Sequence, residues 1–290
     1  MRDFSRFSEF SVGSVIGNAA RVMRRKPLAF FGITLLASIL STIIRVALAP
    51  IWVTLFPWFI SLFNIPAAAY ILIAATGEFA VGIISIALGS SVFQGALTYA
   101  IFMLLQQGGV SMVEAFQRST SRVPTIILAS LIMSFAMGLI FNILFLLGIH
   151  LAISVRRALG TLIFIVAIIA SVVLTSLLFV KWSAFAPACM VERTGAIASL
   201  WISSDLTKDY RCKIFGMFIL VGIILVIFFA IAKFCSNNLI FGTGLLGYFF
   251  SVIVLTFPLT FLNVLPAVIY FRLRTVKENF TLESLADIFD

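Results

Sequence analysis

Six stretches of this chain are long and apolar enough to cross a bilayer: residues 28–48, 80–105, 125–147, 161–182, 214–232 and 246–271. Inside hydrocarbon a backbone must satisfy its own polar groups, and roughly 20 apolar residues do so as a helix crossing about 30 Å. The remainder offers little that could cover a water-facing surface, because 62% of the residues are hydrophobic and only 11% charged. These numbers predict an all-α fold, a polytopic integral membrane protein of about six transmembrane helices in a single membrane domain, residues 1–290.

The first spans have the least certain limits. Pro27 suits a helix start, where its missing N–H costs little. Beyond residue 48, Pro50, Pro57 and Pro66 with Trp52 and Trp58 predict an exported-side loop or shallow hairpin. Gly77 and Glu78 interrupt the next apolar run, so the second span is expected to begin near Ala80, and residues 49–79 leave room for an extra or re-entrant hairpin. The polar, basic N-terminus lacks the compact apolar core of a cleavable signal, and the first span is expected to be retained.

Three short amphipathic segments, 11–26, 111–123 and 195–208, each precede a pair of spans, which suggests three successive units of interfacial helix plus membrane hairpin. In the first, Val12, Val15, Ile16, Ala19, Val22 and Met23 recur at helical spacing, suited to the membrane interface or to packing on the bundle. In the second, Ser111 and Glu114 form a capping-box pattern. In the third, Ile197, Leu200, Trp201 and Ser204 are expected to line one side of a helix.

The formal charge is +9, from 20 Lys and Arg against 11 Asp and Glu. Basic residues gather before the first span, in the 106–123 and 188–213 connections and after the last span, whereas the opposite connections hold mainly Arg156 and Arg157. The positive-inside bias predicts that both termini lie in the cytoplasm. It also accounts for the basicity without nucleic acid, for which no recognition motif is present. Arg21, Arg25, Lys208, Arg211, Lys213, Arg272, Arg274 and Lys277 can meet lipid phosphate or form a structural polar site. Residues 282–289 are expected to fold back as a short amphipathic helix. Arg45, Glu78, Lys181 and Lys233 can line a passage, or sit at interfaces with the long cations snorkelling.

Catalytic chemistry finds little footing. His150 is the only histidine, Glu78 has no adjacent carboxylate, no serine sits in a nucleophile motif, and Cys189, Cys212 and Cys235 lack metal-ligand spacing. Gly242 and Gly244 lack the strand–turn–helix setting of a dinucleotide site. No catalytic residue, cofactor or metal is assigned. The expected partners are membrane phospholipids and a membrane or envelope protein, which fits a non-enzymatic scaffold. A transporter or lipid-handling protein is the alternative. A membrane enzyme using Glu78, His150 or Asp205 on a phospholipid-like substrate ranks third.

Two blocks carry a family resemblance. Residues 191–216, VERTGAIASLWISSDLTKDYRCKIFG, and the C-terminal set Tyr270, Leu273, Arg274, Lys277, Glu278, Leu285, Phe289 and Asp290 are similar to the multi-pass proteins related to the membrane domain attached to some bacterial glycerophosphoryl diester phosphodiesterases. The resemblance implies a bacterial inner-membrane protein of several helices. It does not imply phosphodiesterase activity, which belongs to a separate soluble domain absent from this sequence. Asp209 stands where the family commonly has a small residue, and Ala196 where proline is frequent.

Overall fold

The computed structural model describes residues 10–61, 67–106, 112–155, 157–235 and 245–278. Helices follow one another as α1 (Val12–Arg25), α2 (Pro27–Ser61), α3 (Ala67–Gln106), α4 (Met112–Thr120), α5 (Val123–Ser154), α6 (Arg157–Lys181), α7 (Phe185–Val191), α8 (Ala196–Thr207), α9 (Arg211–Cys235) and α10 (Leu245–Glu278). Six of them are long and apolar enough to cross a membrane, and the protein is an all-α polytopic membrane protein. Large apolar side chains such as Leu162, Val166, Ile169, Val226 and Phe257 point outward from these spans, where lipid tails replace the core that water would demand.

The region 49–61 is not the loop or shallow hairpin that its prolines and tryptophans suggest. It is the continuation of α2 through Pro50 and Pro57 to Ser61. Proline removes one hydrogen bond from the helix ladder, and neighbouring groups can re-satisfy the backbone. The carbonyls freed here are those of Val46 and Val53, while the Thr54 hydroxyl makes a local back-bond, 3.0 Å from the carbonyls of Pro50 and Ile51. Likewise Gly77 and Glu78 do not interrupt α3, which starts at Ala67, while its span-length apolar part, Val81–Leu104, falls where the second crossing is expected. With 35 and 40 residues, α2 and α3 are about 52 and 60 Å long at 1.5 Å per residue. Residues 62–66, Ser111 of the capping box, residues 236–244, Arg156 and the proposed 282–289 helix lie outside the described residues.

Two compact units divide the chain. The first comprises Met1–Ile39, Ser90–Ala129 and Val180–Asp290. It contains all three amphipathic segments, as α1, α4 and α8, each preceding a pair of spans. Its buried residues include Val15, Ala19 and Val22 of α1, Tyr99 and Phe102 of α3, Ala115 of α4, Leu200 of α8 and Leu265, Ile269 and Tyr270 of α10. The α1 stripe thus packs on neighbouring helices, one of the two roles its spacing allowed.

The second unit comprises Leu40–Gly89 and Ser130–Phe179. Its helices meet through small residues, the usual route to close approach in lipid. A side chain at Gly89 would reach to 2.6 Å from the backbone nitrogen of Ser41, and one at Gly148 would strike Ala167. Gly77 lies against the Trp52 ring in the same way, which explains a glycine in mid-helix. Hydroxyls in this unit serve their own helix: Ser85 donates to the Val81 carbonyl at 2.6 Å and Ser171 to that of Ala167 at 2.7 Å.

Candidate functional site

The polar residues of the first unit form a set of cross-ties at the ends of the spans. Glu192, which caps the C-terminus of α7, accepts from the Tyr270 hydroxyl at 3.0 Å and is ion-paired with Arg274. Arg274 Nε also donates to the Tyr270 oxygen at 3.3 Å. One helical turn further along α10, Lys277 pairs with Asp209 at 2.7 Å and donates to the Asp205 carbonyl at 2.9 Å. The two sequence blocks that carry the family resemblance therefore meet in space, with α10 anchored on both ends of α8.

Further ties spread outward from this contact. Arg25, at the end of α1, donates to the Leu104 carbonyl at 2.7 Å. Lys213 donates to the Phe10 carbonyl at 3.2 Å, and the Tyr210 ring rests 5.0 Å from that of Phe10. Arg211 donates to the Ser204 carbonyl at 3.3 Å, and Arg122 to that of Arg193 at 3.2 Å. Carbonyls at helix C-termini lack intrahelical donors, and several of these cations supply them. Arg193 itself has a left-handed backbone, φ 51°. This is the conformation that commonly ends a helix and is costly for a residue with a Cβ.

The eight cations expected to meet lipid phosphate thus separate into two groups. Arg25, Arg211, Lys213, Arg274 and Lys277 make the protein contacts above, and Arg21 lies 3.4 Å from the Asn18 side-chain oxygen. Arg272 is buried at 6% exposure. Lys208 remains on the surface. Six of the eight therefore bond to protein, and Arg21, Arg25 and Lys213 among them are also exposed.

Arg45 and Glu78 belong to the second unit, Lys181 and Lys233 to the first. Arg45 is exposed on α2, and the Glu78 side chain lies outside the described residues. Lys181 sits 5.9 Å from the ring of Trp182, just past the end of α6, and Lys233 6.0 Å from that of Phe229, one turn earlier on α9. His150 is exposed on α5. Among the described residues no group of His, Cys, Asp and Glu is placed to hold a metal ion.

Sequence reasoning missed Glu192 and Tyr270 as the partners of Arg274, and Ser203 and Thr207 as hydrogen-bonding groups at the end of α6. The Lys181 carbonyl accepts from the Ser203 hydroxyl at 3.2 Å, with the Thr207 hydroxyl 3.1 Å away. The scarcity of acids was the available signal for Glu192, since any acid beside so many cations has a strong demand for a partner.

This bonding fixes which way α8 faces. Helix carbonyls point toward the C-terminus, so Ser203 and Thr207 sit beyond the end of span α6 and look back at it. At 100° per residue, Trp201 falls roughly opposite them. Ile197 and Trp201 are 64% and 70% exposed, whereas Leu200 and Ser204 are buried. The expected stripe of Ile197, Leu200, Trp201 and Ser204 is therefore split: half of it seals α8 to the span ends and half faces outward.

Lys277 holds the Asp209 carboxyl below its ordinary value, first through their hydrogen bond and then through its charge, with Lys208 and Arg211 adding to the effect. A carboxyl lowered on folding stabilises the fold above its unfolded value of about 3.9, and that stability is lost as pH falls through the lower folded value. Asp209→Asn is expected to lower the melting temperature slightly and equally between about pH 5 and 8. The difference should shrink toward zero as the solution is acidified below the folded value, as differential scanning of both proteins in detergent would show.

No family model, curated protein or solved structure matches this chain.

Proposed function

We propose that the chain is a non-enzymatic scaffold of a bacterial inner membrane, with both termini cytoplasmic, that presents the outer face of α8 to a protein partner. The observation carrying this reading is the pairing of Ile197 and Trp201 on a face turned away from the end of span α6. An exposed tryptophan beside an aliphatic residue on a rigid support suits an interface anchor. The cross-ties supply the rigidity, and the excess of Lys and Arg at these span ends favours the cytoplasmic side. The family resemblance of 191–216 and 270–290 agrees with the location and is itself part of the proposal.

A photoreactive amino acid at position 201 tests it in whole cells. The expected result is a discrete protein adduct at 201 and none at Leu200. Trp201→Ala is expected to reduce recovery of that same protein at least tenfold while leaving the melting temperature unchanged. Adducts with lipid alone would place this face in the bilayer and overturn the reading, as would the absence of any adduct.

A further inference from the structure

An apolar groove of about 280 Å³ opens in the first unit where α1 turns into α2. Met23 of α1, Pro27, Leu28 and Phe31 of α2, and Phe257 and Thr260 of α10 line it. The one hydroxyl in its wall already donates to the Thr256 carbonyl at 2.7 Å. Water entering such a groove would find almost no partners. Its mouth lies on membrane-spanning helices, with Leu28 85% and Phe257 58% exposed. The volume sits at the lower limit of ligand-sized pockets, enough for a length of hydrocarbon chain and too small for a whole lipid.

The charge beside the groove specifies the other end of the ligand. Arg24 is exposed and directly follows Met23 in sequence, and Lys26 directly precedes Pro27. An apolar slot next to cations complements a molecule that joins an acyl chain to an anionic head. We infer that this groove holds one acyl chain of an anionic phospholipid, with its phosphate against Arg24. The lipid fastens the α1–α2 elbow to α10, independently of whether α8 binds a protein.

Native mass spectrometry of the full chain, released from detergent containing equimolar dioleoyl phosphatidylglycerol and phosphatidylcholine, tests the assignment. One phosphatidylglycerol is expected to remain bound, favoured about tenfold over phosphatidylcholine. Leu28→Trp, which fills the groove, is expected to cut retention of both lipids about tenfold, and Met23→Trp to do the same from the α1 wall. Arg24→Glu is expected to abolish the preference for phosphatidylglycerol while a chain is still retained. Val226→Trp, on an outward-facing position of α9, is expected to change neither quantity. Melting temperatures identify any variant that fails to fold, and the other filling variant then decides. Unchanged retention in a folded filling variant overturns the proposal, as does equal retention of the two lipids or binding of detergent alone.

Discussion

Glu192→Ala is expected to destabilise the folded chain by about 2–4 kcal/mol, the cost of leaving a largely buried arginine without its carboxylate. The side chains of Glu192 and Arg274 are only 20% and 17% exposed, and the Tyr270 hydroxyl shares the same carboxylate oxygen. Removing the acid therefore takes a shared acceptor from a cation and a phenol together. Glu192→Gln keeps an acceptor and is expected to lose less. The double variant Glu192→Ala with Arg274→Met should recover part of the loss, because the desolvated cation leaves with its partner. Thermal unfolding in detergent measures all three, and a loss below about 0.5 kcal/mol for Glu192→Ala would show that the pair is decoration, as most surface pairs are.

Gly89→Leu is expected to have an effect of similar size by a different route. Even the Cβ of alanine at this position would sit 2.6 Å from the Ser41 backbone nitrogen and 2.7 Å from its Cα. Neither is the movable end of a side chain, so α2 and α3 must separate, and overpacking of this kind costs about 1–3 kcal/mol or more. Gly82, seven residues earlier on the same helix, has nothing within 4 Å of the equivalent position. Gly82→Ala should therefore stabilise α3 by about 0.5–1 kcal/mol through helix propensity alone. Opposite shifts in melting temperature are the expected outcome. Equal shifts would mean that the α2–α3 contact is not close.

The spans were legible because the requirement that hydrocarbon imposes on a backbone is local: any window of apolar residues reports it. The continuation of α2 through Pro50 and Pro57 was not legible, since a proline's local penalty is visible in sequence while the neighbours that offset it are not. Gly77 and Glu78 misled for a related reason. A glycine reads as a break until Trp52 is seen lying against it.

The cations at the span ends illustrate the same division. Their clustering in sequence identified the polar ends of the bundle, including Arg25, Lys213, Arg274 and Lys277. Their partners are carbonyls and acids 68 to 203 residues away, and no spacing rule reports such distances. The α8 stripe failed because periodicity counts apolar residues without saying which of them touch protein. Ser199, Ser203 and Thr207 bury on the helix side that sequence would give to water.

Those separations in sequence also dictate an order of events at the ribosome. Phe10 and Glu192 are synthesised long before Lys213 and Arg274, so α1 and the α7 turn must wait in the membrane with their contacts unmade. Only when the final hydrophobic helix leaves the translocon can the structure close. A nascent chain arrested before residue 270 would carry every span but the last and still present Glu192 without Tyr270 and Arg274, and α1 without its α10 face, to proteases that survey unfinished membrane proteins.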